Sequence, residues 1–139
     1  MRLRVLAVGK LKDRGLESLI SDYQKRARKF LPIELLEFRD ADALRAKLGD
    51  TVVLCDERGQ APDSEAFAGW LEVFRDRGVR QVDFAIGDAH GFTDADRRAA
   101  DRVLALSALT LPHRLARLML VEQLYRAGTI LAGHPYHHA

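Results

Sequence analysis

The last quarter of the chain holds most of its unusual chemistry. "LSALTLPHRL", residues 106 to 115, is an apolar stretch broken by Ser107, Thr110 and Pro112. "EQLYRA" follows, with Glu122 and Arg126 spaced i,i+4 in the favourable order for a helical ion pair. The chain closes on "GHPYHHA", in which His134, His137 and His138 surround Tyr136. Three histidines suggest a metal, but their spacing matches no strong ligand motif, and hydrogen-bonding or solvent-facing imidazoles are the favoured reading. Cys55 lies inside an apolar run, where a thiol is usually an inert core group. "YQKRARKF", residues 23 to 30, sets Lys25, Arg26, Arg28 and Lys29 between two aromatics with no acid among them. That stretch reads better as a solvated helix face, with Tyr23 and Phe30 inward, than as a phosphate-contacting patch.

Several common chemistries are excluded. The first strand-to-helix turn, "VGKLKDRG", has no G-x-G-x-x-G and no phosphate-loop pattern. No G-x-S-x-G elbow is present. A single cysteine offers neither a zinc pair nor an internal disulfide and suits a reducing cytoplasm. No apolar run reaches the roughly 18 residues of a membrane span. With Lys+Arg 22 against Asp+Glu 20, the net charge of +2 does not by itself mark a nucleic-acid binder. The 139 residues fit one domain, 1–139, with enough core to need no metal or disulfide for stability.

The elements that must position these residues alternate. "LRVLAV", "IELLEF", "TVVLCD", "VDFAIG" and "RVLALS" read as strands. Between them lie a helix from about Leu16 to Phe30, a short one in "ADALRAKLG", one capped by Asp63 or Ser64 and running toward Gly78, and one opened by Thr93 and Asp96 in a capping box. "ERGQAPDS" and "DAHGF" read as loops. The last helix spans "HRLARLMLVEQLYRAGTIL". One of its sides collects Ala116, Leu120, Val121, Leu124, Ala127 and Leu131. The other mixes Arg114, Leu115, Leu118, Met119, Glu122, Tyr125 and Arg126. Such a mixed face predicts a partner subunit or a cleft. The pattern implies an α/β fold with a mostly parallel sheet and helices on both faces. Ligands then bind beyond the carboxyl ends of strands, in the loops after Asp56, Gly87 and Ser107.

On these stretches the chain resembles the bacterial ribosomal RNA large-subunit methyltransferase H family, of the SPOUT class. The matching segments are "LAVGKLKD", "YQKRARKF", "LCDERGQ…SEAFA", "IGDAHGF", "LSALTLPH", "EQLYRA" and "HPYHH", in order along nearly the whole chain. The resemblance implies a SPOUT-type α/β fold with a C-terminal trefoil knot, a homodimer, and S-adenosylmethionine as methyl donor. It implies methylation of N3 of a pseudouridine in a large-subunit rRNA stem-loop near the decoding site, on the assembled ribosome in the cytoplasm. It assigns the donor pocket to Cys55, Gly87 and the segment Leu106, Ser107, Ala108, Leu109, Thr110 and Leu111. Glu122, Tyr136 and His138 fall at its functional positions. Glu122, His113, Tyr136, His137 and His138 are the candidates for helping the acceptor's proton away, and the resemblance does not choose among them. The chain departs from the family pattern at Cys55 (leucine is common), at Asp88–His90 in "GDAHG", at His138 (arginine or lysine is common), and in a short 40–51 stretch. Two other readings compete: a non-catalytic ribosome-binding protein of this fold, and a SPOUT enzyme acting on another RNA.

Overall fold

The computed structural model describes residues 1–138. The chain runs β1 (Arg2–Val8), α1 (Arg14–Ala27), β2 (Ile33–Phe38), α2 (Ala41–Lys47), β3 (Val52–Gln60), α3 (Ser64–Asp76), β4 (Gln81–Ile86), α4 (Asp94–Ala99), β5 (Arg102–Leu104) and α5 (His113–Leu131), then a 3-10 turn over Pro135–His138. The strands form one sheet in the order β2-β1-β4-β3-β5. Every pairing is parallel, so all carboxyl ends lie on one side.

Strand alternation sorts the core into two layers. Leu3, Val5, Ala7, Val53, Phe84 and Ile86 point to the face covered by α1, α3 and α5. Leu6, Leu54 and Ala85 point to the other, where Leu44 of α2 and Phe92, just before α4, close over them. Side chains of successive strand residues face opposite ways, and parallel strands need both faces covered. The second face also buries a forked ion pair: Arg4 Nε and Nη2 donate to Asp83 at 2.8 and 2.7 Å. Asp83 accepts a further bond from Gly49 N–H at 2.7 Å.

Helix starts follow their caps. Asp13, Asp40 and Asp63 each accept from a backbone N–H three residues on. The expected capping box forms at Thr93 and Asp96. The last helix begins after Pro112 and ends at Leu131, as its periodicity implied.

Four expectations need correction. The first helix stops at Ala27 rather than Phe30, because Phe30 N–H already closes a turn onto Ala27 C=O at 2.9 Å. Residues Glu57–Gln60 are strand rather than loop: β3 bulges between Cys55 and Gln60, and both of these residues pair with Leu104. The fifth strand keeps only Arg102–Leu104, and "ALS" leaves the ladder. Tyr125, placed by periodicity on the mixed face of the last helix, is buried against Tyr23, Phe30 and Tyr136. The aromatic side chain reaches around the helix to a core that spacing alone does not locate.

Candidate functional site

A cavity of about 490 Å³ opens at the carboxyl ends of β3, β4 and β5. The bulged second half of β3 and the loops after β4 and β5 make it, at the three places that a parallel sheet singles out. Cys55, Gly87, Leu106 and Ser107 line it, with Leu109, Thr110 and Leu111. Ala108 is exposed and is not among the lining residues. The volume falls in the range of small-molecule sites, and the walls combine apolar side chains with a few polar groups.

Local chemistry explains the loop shapes. Ser107 Oγ accepts from Leu109 N–H at 2.9 Å, which bends the segment into a hydroxyl-held turn. Asp88 accepts from His90 N–H at 3.0 Å, and Gly91 follows at φ 68°, a left-handed conformation that suits glycine. At the bulge, a Cβ on Gly59 would sit 2.5 Å from Val103 C=O, so only a glycine lets β3 approach β5 there. A Cβ on Gly87 would meet Gly91 and Phe92 at 3.4 Å, an ordinary contact. Gly87 is therefore packed against its own loop as well as lining the cavity.

The cavity holds charged residues that residue-type reasoning passed over. Asp56 accepts from Arg97 at 2.9 Å, and Arg97 also donates to Phe92 C=O at 2.8 Å. Asp94 is a further partner of the same guanidinium. Arg97 thereby ties α4 to β3 at its bulge and fixes the rim. The signal was present in "LCD", an acid at the carboxyl end of a strand, but its partner is 41 residues away. Burial, then the Asp56 charge, pushes the Cys55 thiol up to about 12. At neutral pH it is a protonated, unreactive wall group.

A second cluster gathers on α5. Glu122 Oε1 accepts from Arg126 Nε at 3.0 Å and Nη2 at 2.6 Å, and from Tyr136 O–H at 3.0 Å. Glu122 Oε2 accepts from Gln123 at 2.9 Å. The Arg126 guanidinium lies 4.9 Å over the Tyr136 ring. Both members of the ion pair are mostly buried, at 17% and 23% exposure, so the i,i+4 spacing has produced a structural pair rather than a surface one. The Glu122 hydrogen bond raises the Arg126 pKa. Burial, followed by hydrogen bonds with Tyr23 and Glu122, holds the Tyr136 hydroxyl above the usual phenol range, so it stays protonated.

The tail docks onto this cluster. His134 N–H donates to Thr129 C=O at 2.9 Å, and Gly133 turns at φ 72°. Arg126 Nη1 faces His137 Nδ1 at 3.0 Å, and His137 Nε2 is 3.8 Å from Glu65. An arginine N–H at Nδ1 assigns the neutral ring's proton to Nε2, toward Glu65. His138 is exposed, with its ring 4.8 Å from that of His137 and no bond to Glu122. Ligand atoms of Glu65, His137 and His138 lie within 4.8 Å of one another, a proximity no sequence spacing suggested. The basic run at the end of α1 and in the turn after it is solvent-facing, with Arg26 paired to Asp22 at 3.0 Å and Tyr23 and Phe30 packed inward.

Thus the structure brings together Glu122, Tyr136 and His137 and sets His138 beside them. His113 lies at the cavity instead. Glu122 is about 9 Å of helix rise beyond Ala116, which lines the cavity. None of Glu122, Tyr136 and His138 is a lining residue of that cavity.

Comparison with known proteins adds to this geometry. A family model described as "Predicted SPOUT methyltransferase" matches residues 1–137. The chain is 42% identical to the ribosomal RNA large subunit methyltransferase H of Geobacter sulfurreducens, over 99% of this chain and 100% of the relative. It is 43% identical to the protein of that name from Koribacter versatilis, over 99% of this chain and 98% of the relative. Among solved structures, a probable methylase family protein from Haemophilus influenzae Rd KW20 superposes with a TM-score of 0.62 at 9% identity. That match covers 96% of this chain and 69% of the other, and it shows likeness of fold.

Proposed function

The chain belongs to the SPOUT methyltransferase family, and from that membership we propose that it methylates large-subunit ribosomal RNA with S-adenosylmethionine as donor. The acceptor in this reading is N3 of a pseudouridine in a stem-loop near the decoding site, presented by the assembled ribosome in the cytoplasm. The whole of 1–139 serves as one catalytic domain, with the family's C-terminal trefoil knot, which the sheet order accommodates. Among the described residues no helix is long and apolar enough to cross a membrane.

One observation carries the reading: a cavity of ligand size at the carboxyl ends of three parallel strands, walled by the loop Leu106–Leu111 and by Cys55 and Gly87. The residues fit the donor. Leu106, Leu109 and Leu111 offer apolar walls for an adenosine, and the turn held by Ser107 presents backbone groups beside them. Asp56, Arg58 and Arg97 give the rim both signs of charge, as a zwitterionic amino-acid end requires. When bound, the donor supplies an electrophilic methyl group on a sulfonium.

The chain's own groups then position the acceptor. Tyr136 combines an aromatic edge, a protonated hydroxyl and a neighbouring cation, a combination suited to holding a base. Glu122 already accepts four hydrogen bonds, so its role is to anchor Arg126 and Tyr136 rather than to collect a proton. Catalysis in this scheme is mainly positioning. Because Glu122 and Tyr136 lie outside the cavity of their own chain, a second copy completes the site. Leu109, Leu115 and Met119 are 77%, 44% and 39% exposed around the start of α5, an apolar surface suited to an isologous dimer.

The test is mass spectrometry of ribosomal RNA from cells lacking the protein, with calorimetry of S-adenosylmethionine on the purified chain. Loss of one N3-methyl mark together with donor binding supports the reading. A chain that binds ribosomes but no donor would be the non-catalytic protein of the same fold.

A further inference from the structure

Glu122 is also held by its neighbour on α5, Gln123, which is in turn tied to Ser64 of α3. Ser64, the first residue of α3, donates from Oγ to Gln123 Oε1 at 2.7 Å. Gln123 Nε2 donates to Glu122 Oε2 at 2.9 Å. The capping work at this helix start is done by Asp63, which accepts from Ala66 N–H at 2.8 Å, so the Ser64 hydroxyl is free to point elsewhere. The amide has only one sensible orientation. Reversed, its oxygen would face the Glu122 carboxylate, acceptor against acceptor. Glu122 thus has each oxygen committed: Oε1 to Arg126 and Tyr136, Oε2 to Gln123.

We propose that Gln123, fixed by Ser64, is a positioning residue for methyl transfer: it locks the Glu122 carboxylate in the rotamer that presents Tyr136 and Arg126 to the acceptor nucleotide. The proposal rests on the reading of Glu122 and Tyr136 as the acceptor side of the site. Physically, a carboxylate held only by Arg126 and Tyr136 can swing with them as a unit. A bond from Gln123, itself tied to α3 through Ser64, removes that freedom, and small displacements at a reacting centre cost large factors in rate. Gln123 does not line the cavity, and its side-chain hydrogen bonds go to Ser64 and Glu122 and not to Tyr136, so its effect passes through Glu122.

The experiment measures methyl transfer to purified ribosomes, donor affinity by calorimetry, and thermal melting for Gln123→Leu, Gln123→Glu, Ser64→Ala and the double variant Ser64→Ala/Gln123→Leu. Gln123→Leu keeps the volume and loses the donor; kcat is expected to fall at least about tenfold with donor Kd within about twofold of the wild type. Ser64→Ala is expected to cost about threefold, and the double variant no more than Gln123→Leu alone, because Ser64 acts only through the Gln123 amide. Gln123→Glu supplies the readout that a merely structural role would not move. At pH 8 it sets two carboxylates together. As pH falls toward 6 one of them takes a proton, which restores an O–H donor to Glu122, so activity relative to wild type should rise. A flat ratio across that range, or Gln123→Leu turning over within about twofold of wild type, overturns the proposal. If Gln123→Leu does not fold, Ser64→Ala and the Gln123→Glu pH profile decide the matter alone. Wild-type protein that binds donor but leaves ribosomes unmethylated sinks the functional reading and this inference with it. Active wild type with unaffected variants sinks the inference only.

Discussion

Gly59→Ala should damage the donor pocket through the sheet rather than through any contact with the donor. The new Cβ would stand 2.5 Å from Val103 O, 2.6 Å from Val103 C and 2.8 Å from Leu104 N. All three are backbone atoms, so no side chain can swing away. Restoring a C···O contact of about 3.3 Å requires β5 to retreat by roughly 0.8 Å. That retreat strains the pairing of Leu104 with Cys55 and Gln60 and the 2.8 Å bond from Ala105 N–H to Gln60 C=O. Overpacking of this kind costs about 1–3 kcal/mol, and a lost backbone bond adds about 1 kcal/mol. For a chain of this size a total near 3 kcal/mol lowers the melting temperature by about 10 °C. Leu104 leads directly into the Leu106–Leu111 wall, so S-adenosylmethionine should also bind at least about tenfold more weakly, a change of about 1.4 kcal/mol. Melting followed by circular dichroism and calorimetric titration measure the two effects. The control is Gly69→Ala, inside α3 with nothing within 4 Å of its Cβ, which should be neutral or stabilising by up to about 1 kcal/mol. Gly59→Ala melting within about 2 °C of wild type, with unchanged donor affinity, would refute the argument that β3 and β5 set the pocket wall.

Deleting Tyr136–Ala139, of which Ala139 lies outside the described residues, should leave donor affinity within about threefold and cut transfer to ribosomes at least about a hundredfold; collapse of donor binding would move the tail into the donor pocket. Cys55, with its thiol pushed up to about 12, should react with iodoacetamide at pH 8 far more slowly than a free cysteine, and more slowly still with S-adenosylmethionine present, as read by mass spectrometry. Asp96 is held at about 2, chiefly by its hydrogen bond with Arg45, so it contributes stability above its unfolded value near 4 and loses it as pH falls toward 2. Asp96→Asn should therefore be less stable than wild type by about 1 kcal/mol at pH 7 after allowance for solvent screening, and the two melting curves should converge by about pH 2.5; a constant gap would contradict the assignment. Light scattering at micromolar concentration should give twice the 15.6 kDa chain mass, and an active monomer would remove the shared-site picture.

What periodicity could see, it placed well, because each feature was local. The second strand starts directly after Pro32 and ends at Phe38, just short of the cap Asp40, and the last helix starts after Pro112. The pocket's surroundings were legible for a related reason: parallel strands put ligands beyond their carboxyl ends, so the stretches after Asp56, Gly87 and Ser107 were selected by topology before any contact was known, whereas Cys55 was assigned to the pocket by the family resemblance alone. The bulge was not legible. Glu57–Gln60 is polar and contains a glycine, the composition of a loop, and only the proximity of Val103 explains why that glycine is there. Arg117 shows the same limit. It sits in the second turn of α5 between Ala116 and Leu118, yet it is 3% exposed, donating to Glu37 at 2.6 Å and to Gly9 C=O at 3.1 Å. An arginine is buried only where partners 80 and 108 residues away in sequence converge on it, and no window of sequence contains them.

The division of labour along α5 follows from these two kinds of information. Its first turns, with His113 and Ala116, border the cavity, and its middle carries Glu122 and Arg126 about 9 Å farther along the axis. Residue types and spacing identify the Glu122–Arg126 pair, whereas they put Ala116 in the core, and His113 stands as a candidate for the acceptor's proton. The distance between them came from the helix, and it is what separates the cavity from the Glu122–Tyr136 cluster within one chain. A rigid helix cannot fold back to close that gap. Arg117 pins the same helix to β1 and β2, so the gap is not taken up by a tilt either. If both groups serve one reaction, the missing half of each site must come from a second copy, and the exposed Leu115 and Met119 lie at the start of the helix, where that copy would have to dock.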